Sequence, residues 1–302
     1  MKKLFLSSAL TLASIAMAPS AFAGPGEDAG NTINHCNTSS GSCPITPTKF
    51  STKIYKVALC TSNPMADDAA LDWEGNGCVT VFNNTNGQET GDIFSATGAT
   101  LNAADITIPT AGTYSYTAAL FDKEFKVGSH HMVYDAAGGP TNDKRYVSTS
   151  SGGSVEGTAS EVEMLAGSFN TFMPQIACTG GWSSTASNIA RSATTSGYGD
   201  FLDSGDTFYG RILNSDYEIP TSGSGNISAN PPTAKCDGAA YLLSVVDKET
   251  VIGPSTTGIH LKILAPTGLI RANQGNGNGV ISGFTAHGDS MAVKVVPITS
   301  TN

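Results

Sequence analysis

Residues 72–77 place side-chain oxygens at a spacing that suits a divalent cation. Asp72, Glu74 and Asn76 alternate along this segment, and glycine occupies its sixth position. Ca²⁺-binding loops present oxygen ligands in this way, but they end in a bidentate carboxylate at a position where this chain has Asn83. Two alternatives therefore stay open: a Ca²⁺ site at Asp72, Glu74 and Asn76, which is the one cofactor that the sequence suggests, and an acidic loop closed by a disulfide.

Catalytic motifs are incomplete in this sequence. The segment Gly152-Gly153-Ser154-Val155-Glu156-Gly157 misses the G-x-S-x-G nucleophile elbow by one residue. The five histidines are scattered, and His130 and His131, if they lie on a strand, point to opposite faces of it. A catalytic pair of carboxylates can also come from two distant segments, which no local motif reveals. We nevertheless expect a protein that is not an enzyme.

The N-terminus reads as a secretory signal peptide. Lys2 and Lys3 precede a short apolar run, and small residues lead to Ala23, after which we expect cleavage. The alternative is an uncleaved anchor, but spanning a bilayer needs roughly 20 apolar residues. No later stretch approaches that length, so we expect no integral membrane segment after cleavage. The sequence thus predicts a bacterial protein that is secreted through the periplasm to the cell surface or medium.

Cysteine usage agrees with export. An even number of cysteines behind a signal peptide predicts disulfides in an oxidising compartment. The six allow 15 pairings, and our hypothesis joins nearest neighbours: Cys36–Cys43, Cys60–Cys78 and Cys178–Cys236. Metal ligation is the alternative, but no Cys-x-x-Cys spacing supports it.

Charge is sparse and acidic. Charged residues make up 14% of the chain, against roughly 25% in a typical soluble domain, and the formal net charge is −9. Lysine and arginine are scattered, so the basic patch of a nucleic-acid-binding protein is missing. Serine, threonine, asparagine and glycine must therefore cover most of the surface. We expect no nucleic-acid partner.

Alternating apolar residues predict a β-rich fold. Residues 52–60 show this period of two, with Tyr55, Val57 and Leu59 on one face. Further strands are predicted at 78–82, 108–121, 208–213, 240–246, 258–264 and 292–297, and only 159–166 has any helical character. Short strands at regular spacing are typical of antiparallel sandwiches and barrels. The sequence therefore predicts an all-β protein.

The segment Ala111-Gly112-Thr113-Tyr114-Ser115-Tyr116 enters one of these strands. It resembles the corner before the penultimate strand of immunoglobulin-like β-sandwich domains of secreted bacterial surface proteins. The resemblance covers about ten residues. It implies an antiparallel Ig-like sandwich in which a tyrosine hydroxyl hydrogen-bonds to upstream backbone.

A faint internal repeat bears on domain organisation. Residues 118–129 and 243–254 share the sequence Asp-Lys-Glu between two strand-like segments. We interpret both as hairpins with similar turns, the alternative being two related lobes. Composition divides the chain into five segments. They are a signal peptide at 1–23, an irregular arm at 24–50, an Ig-like lobe at 51–134, a linker rich in glycine and serine at 135–157, and a second β-rich lobe or large insertion at 158–302.

Export, disulfides, low charge and the missing catalytic motif together favour a structural function. We expect a protein of the cell surface or extracellular matrix, such as a filament subunit that binds copies of itself through β-strand edges. The C-terminal strand is a candidate donor, with Val293, Val295 and Val296 on its buried face. The alternatives are that this strand belongs to its own domain, and that the protein is a monomeric adhesin or glycan-binding module. A binding module would use a sandwich-end loop such as 61–77, where Trp73 is the obvious contact residue.

Overall fold

The structure of this chain is a computed structural model. Side chains are described for residues 50–66, 70–93, 101–126, 210–220, 238–263 and 291–300. The described backbone comprises residues 34–36, 42–45, 49–66, 70–93, 101–128, 130–135, 139–148, 154–157, 170–172, 174–175, 191–192, 207–220, 228–229, 232–233, 238–264, 270–275, 280–287 and 291–300.

Nearly all of these segments are β-strands, and one short 3₁₀ helix spans Ala103–Asp105. The strands are β1 Asn34–Cys36, β2 Ser42–Ile45, β3 Lys49–Cys60, β4 Val79–Glu89, β5 Gly112–Gly128, β6 His130–Asp135, β7 Gly139–Ser148, β8 Ser154–Gly157, β9 Asn170–Phe172, β10 Pro174–Gln175, β11 Arg191–Ser192, β12 Thr207–Asn214, β13 Ser228–Ala229, β14 Pro232–Thr233, β15 Ala239–Ile252, β16 Thr256–Leu264, β17 Ile270–Gly275, β18 Val280–His287 and β19 Ala292–Thr299.

The all-β prediction is confirmed. The largest sheet has seven strands in the order β11-β12-β15-β5-β3-β4, with β9 also paired to β5. The remaining sheets are β1-β6-β7-β8, β10-β18-β17-β2, β13-β14 and β16-β19. Strand β19 lies against β15 and β5 of the large sheet, which gives the sandwich packing. In the described part of the chain, no helix has the length and hydrophobicity needed to cross a bilayer.

Strand β3 lies at the centre of the hydrophobic core. Its buried side chains include Phe50, Ile54, Val57 and Leu59, all with no exposed surface. Burying each such apolar side chain stabilises the fold by about 1.5–3 kcal/mol. Both edges of β3 are paired, with β4 on one side and β5 on the other, so β3 is an interior strand of the large sheet.

The large sheet crosses the predicted lobe boundary. Strands β5 and β15 pair along most of their length, although residues 135–157 separate them in sequence. That stretch itself contains β7 and β8, while β1 and β2 of the predicted irregular arm pair with β6 and β17. One sheet therefore contains strands from both sides of residues 135–157, and the division of the chain into lobes stays a prediction. Such pairings depend on partners far along the chain, which local composition does not report.

The predicted Asp-Lys-Glu turns are wrong. Asp122-Lys123-Glu124 and Asp247-Lys248-Glu249 both lie inside continuous strands, β5 and β15. Each triplet coincides with a register shift. For β5, the shift lies between Thr52 and Ile54 of its partner strand β3. For β15, it lies between Asp247 and Thr250 of β15 itself. Extra residues in one strand form a β-bulge, which bends the strand without reversing it. The polar triplet thus signals a local bend, and only the neighbouring strands decide that the chain continues.

The predicted tyrosine hydrogen bond is present. The Tyr114 hydroxyl donates to the backbone oxygen of Thr110 at 2.9 Å, and it lies 3.0 Å from the Thr110 hydroxyl. Tyr114 is buried at the start of β5. The bond ties the corner at residues 110–114 to the strand that follows. The specifically immunoglobulin-like topology stays a prediction.

The C-terminal strand β19 pairs antiparallel with β16 of the same chain. Val293 and Val295 are buried, at 1% and 2% exposure, whereas Val296 is half-buried and lies opposite His260. Val293 and Val295 therefore face the core of their own chain. Exchange of this strand between copies stays a prediction.

Candidate functional site

One predicted disulfide closes the loop between β3 and β4. Cys60 ends β3, Cys78 precedes β4, and their sulfur atoms are bonded. Cys36 and Cys43 lie in β1 and β2 without described side chains, and Cys178 and Cys236 lie outside the described residues. The pairings Cys36–Cys43 and Cys178–Cys236 therefore stay predictions.

The closed loop folds onto the sheet. Met65 and Leu71 are buried in a hydrophobic cluster with Ala58, Ala118 and Leu243 of strands β3, β5 and β15. The Leu71 amide donates to the Tyr217 backbone oxygen at 2.9 Å, which joins this loop to the turn after β12. The loop therefore packs over the hydrophobic cluster and is not a free loop at the end of the sandwich.

The oxygens proposed as Ca²⁺ ligands accept hydrogen bonds within this loop. Asp72 Oδ1 accepts from the Gly75 amide at 2.8 Å and from the Glu74 amide at 3.1 Å. Asn76 Oδ1 accepts from the Ser62 hydroxyl at 2.9 Å. Among the described residues, no three His, Cys, Asp or Glu side chains lie together as a metal site. The Ca²⁺ site stays a prediction, testable by the effect of EDTA and of added Ca²⁺ on the melting temperature.

Trp73 contacts a cation of its own chain. The Lys56 ammonium lies 4.2 Å from the centre of a Trp73 ring, a distance at which the ring quadrupole attracts it. Burial lowers the pKa of Lys56, and the nearby charge of Glu74 opposes that shift. Trp73 also packs against the hydrophobic cluster. Its ring is therefore partly occupied by intramolecular contacts.

Three tyrosines form a continuous line of ring contacts. The Tyr55 and Tyr241 rings meet edge to face with centroids 5.1 Å apart, and Tyr217 stacks on Tyr241 at 5.6 Å. We call Tyr55, Tyr217 and Tyr241 the tyrosine surface. Tyr217 is exposed, and Tyr55 and Tyr241 are half-buried. These side chains come from β3, the turn after β12 and β15, so only the folded sheet brings them together.

Asp122 anchors one end of the tyrosine surface. The Tyr55 hydroxyl donates to Asp122 Oδ2 at 3.2 Å, and Asp122 lies opposite Tyr241 in the sheet register. Burial, followed by the Asp122 charge and hydrogen bond, raises the pKa of Tyr55 to about 12. Burial, followed by the neighbouring Tyr217 and Asp122, also raises the pKa of Tyr241. Both hydroxyls therefore stay protonated at neutral pH, and the one hydrogen of the Tyr55 hydroxyl is donated to Asp122.

Backbone conformation at two positions supports the tyrosine surface. Tyr217 has φ 65°, the one positive value among non-glycine residues in the described segments, and bulky residues adopt this region only under constraint. Gly87 has φ 68°, and a Cβ there would lie 2.5 Å from the Lys53 side chain and 2.8 Å from Tyr55 Cε1. Gly87 therefore leaves the space that the Tyr55 ring occupies.

A polar cavity of about 130 Å³ lies next to Asp122. Its charged lining residues are Lys53, Glu89, Asp122, Glu124 and Lys126. Lys126 and Glu89 form an ion pair at 2.8 Å, and the Ser51 hydroxyl donates to Glu89 at 3.3 Å. Asp122, which accepts from the Tyr55 hydroxyl, also lines the cavity. The tyrosine surface and the cavity therefore adjoin at Asp122.

No protein-family model, curated protein or solved structure matches this chain. Its function must therefore be inferred from the geometry of its own residues.

Sequence reasoning found Trp73 but missed the tyrosine surface and Asp122. A signal was present in the internal repeat, because Tyr116 and Tyr241 each precede an Asp-Lys-Glu triplet at the same spacing. Strands β5 and β15 pair so that Tyr241 faces Asp122 and Tyr116 faces Asp247. Of these two tyrosines, Tyr241 is the one whose described ring contacts are with Tyr55 and Tyr217.

Proposed function

We propose that this chain is an exported binding module that holds sugar rings on the tyrosine surface. The single observation that carries this proposal is the contact of Tyr55, Tyr217 and Tyr241 in one line next to a polar cavity. Aromatic rings supply apolar area for the C–H face of a sugar, and tyrosine hydroxyls add hydrogen-bonding groups at the rim. Small-molecule sites typically combine an apolar patch with a small number of precisely positioned polar groups.

Strain at Tyr217 supports the same proposal. A positive φ at a bulky residue costs of order 1–3 kcal/mol and persists where the surroundings impose it. Here the Tyr217 backbone oxygen accepts from Leu71, and its amide donates to the Asn214 oxygen at 3.2 Å. The fold therefore places an exposed aromatic ring at an energetic cost, which is common at binding sites.

The repeat offers a matched control for the experiment. Tyr116 occupies the position of Tyr241 on the paired strand, packs against the same hydrophobic cluster and faces Asp247 in place of Asp122. We would screen the secreted protein and its Tyr241→Ala and Tyr116→Ala variants against a glycan array, then measure affinities by calorimetry. Thermal unfolding of each variant would show that it is folded.

Removing an aromatic anchor costs about 2 kcal/mol or more at an interface centre, which is more than tenfold in affinity. We expect Tyr241→Ala to lose glycan binding by that factor and Tyr116→Ala to retain it. Equal losses in both variants would indicate a purely structural role for Tyr241. Absence of any glycan ligand for the wild-type protein would remove the proposal.

A structural, filament-forming function is the second candidate. In the described part of the chain, the β16–β19 sheet has two strands, and an edge without a neighbour can pair with a strand of another copy. Electron microscopy of native protein from the cell surface or medium tests this directly. Regular filaments would support assembly through these edges, whereas monodisperse particles would contradict it.

A further inference from the structure

Two asparagine–glycine pairs lie among the residues whose side chains are described, and the fold holds them differently. They are Asn76-Gly77 in the disulfide-closed loop and Asn86-Gly87 in β4. In such a pair, the glycine amide nitrogen can attack the carbonyl carbon of the asparagine side chain. Glycine has no Cβ, so this attack meets the least steric hindrance. Its rate in the folded protein then depends on how firmly each pair is held.

The Asn86-Gly87 pair lies in a wide bulge of β4. The ladder between β3 and β4 is interrupted between Ile54 and Lys56, so residues 84–87 of β4 lie opposite Tyr55 alone. A bulge leaves its extra residues unpaired and locally disrupts the ladder. This segment is therefore held less firmly than the paired parts of β4.

The Asn86 side chain can turn towards the amide that follows it. Asn86 is exposed. Its backbone amide donates to Asn84 Oδ1 at 3.1 Å, but its own side chain is not hydrogen-bonded to any described residue. Gly87 has φ 68°, a conformation that glycine adopts without steric cost. The Asn86 carbonyl carbon can therefore approach the Gly87 nitrogen without the loss of a side-chain hydrogen bond.

The Asn76 side chain is held at both ends. Its Oδ1 accepts from the Ser62 hydroxyl at 2.9 Å, and its Nδ2 donates to the Asp72 backbone oxygen at 3.0 Å. The Gly77 amide donates to the Glu74 backbone oxygen at 3.2 Å. An attack of the Gly77 nitrogen on the Asn76 side chain must first break these hydrogen bonds.

We propose that Asn86 is a site of spontaneous covalent modification, at which the folded protein deamidates while Asn76 is protected. The Gly87 nitrogen forms a bond to the carbonyl carbon of the Asn86 side chain and gives its proton to the departing amide nitrogen, which leaves as ammonia. The product is a cyclic imide. Water then adds to one of the two imide carbonyls, which yields aspartate or isoaspartate. The reaction needs water alone and is independent of sugar binding.

The modified residue adjoins the tyrosine surface. The Gly87 backbone lies so close to Tyr55 that a Cβ there would be 2.8 Å from Tyr55 Cε1. Isoaspartate lengthens the main chain by a methylene group immediately before Gly87. The bulge must then shift against the Tyr55 ring, so the modification alters the tyrosine surface.

The test follows both asparagines in one sample of the purified protein, incubated at mildly alkaline pH without denaturant. Proteolysis and mass spectrometry give the fraction converted at each position, and isoaspartyl methyltransferase labels the isoaspartate product. A second sample is reduced and unfolded in urea, where neither pair is held, and gives the reference rate for each. Two further Asn-Gly pairs, at 276–277 and 278–279, lie outside the described residues and are distinguished by their peptides.

Asn86→Gln is the control variant. Glutamine keeps the amide, but its longer side chain must close a larger ring, which forms much more slowly. The substitution is at an exposed position, and thermal unfolding shows that the variant is folded. Asn86→Gln should abolish the isoaspartate label in this segment and leave the conversion of Asn76 unchanged.

Relative to their rates in urea, Asn86 should convert at least about tenfold faster than Asn76 in the folded protein, because lost hydrogen bonds raise the barrier at Asn76. The separated Asn86 product should also show a changed near-ultraviolet circular dichroism signal from its tyrosines. Equal relative rates at the two positions, or faster conversion of Asn76, would overturn the proposal. An unchanged tyrosine signal would overturn the effect on the tyrosine surface.

Discussion

Tyr217 stacks on Tyr241 with ring centroids 5.6 Å apart while its own backbone has φ 65°. The same turn is held by Asn214, whose side-chain oxygen accepts from the Asp216 and Glu218 amides, both at 2.9 Å. Ring stacking and backbone strain therefore act in opposite directions on stability at one residue. Separate substitutions can divide these two effects.

Tyr217→Gly should leave stability within about 1 kcal/mol of the wild type. Glycine adopts positive φ without steric cost, and the relief of strain offsets the lost stacking, worth about 0.5–1.5 kcal/mol. Tyr217→Ala keeps the strain and loses the ring, so it should be less stable than Tyr217→Gly by about 1 kcal/mol. Urea unfolding measures both. Equal stability of the two variants would show that φ at this position is unconstrained.

Loss of the Cys60–Cys78 disulfide should destabilise the protein by about 3 kcal/mol. The bridge joins residues separated by 18 positions, and closing a loop of this length restricts the unfolded chain by about that amount. The measurement is urea unfolding of the Cys60→Ser, Cys78→Ser double variant. Ala66→Ser, at an exposed residue of the same loop, should change stability by less than about 0.5 kcal/mol. A double variant as stable as this control would contradict the prediction.

Tyr114→Phe should cost about 1 kcal/mol, because it removes the hydrogen bond to the Thr110 backbone oxygen while keeping the ring buried. Thermal and urea unfolding give the change in the free energy of unfolding. Tyr116→Phe, two residues along β5, removes a hydroxyl that lies outside this corner. A similar loss in both variants would show that the corner bond adds nothing specific.

Alkaline titration should reveal Tyr55 as a late-ionising tyrosine. Burial and the Asp122 carboxylate raise its pKa from 10.0 to about 12, so the folded protein holds this proton more tightly than the unfolded chain does. The stability that this contributes is complete below pH 10 and is lost as the pH rises towards 12.

The measurement is tyrosinate absorbance after a rapid pH jump, before the protein unfolds. Tyr55→Phe should remove the transition near pH 12, and Asp122→Asn should move it to lower pH. An unchanged titration in Tyr55→Phe would assign the late transition to another residue.

Several features followed from the sequence because they depend on short-range patterns. Alternation in residues 52–60 predicted β3, and the hypothesis that cysteines pair with their nearest neighbours included the Cys60–Cys78 disulfide. The hydroxyl of Tyr114 reaches a backbone oxygen four residues earlier, so the motif alone contained both partners. In each case, the residues that form the pattern, the bridge or the hydrogen bond lie close together along the chain.

The tertiary structure alone decided the rest. The same Asp-Lys-Glu pattern suits a turn or a bulge, and the partner strands of β5 and β15 select the bulge. The sequence shows Trp73 as the obvious aromatic residue, but the fold places Lys56 over its ring and groups Tyr55, Tyr217 and Tyr241 instead. These contacts join segments that lie far apart in sequence. Their geometry depends on strand register, because a shift of one residue would move every side chain of a strand to the opposite face of the sheet.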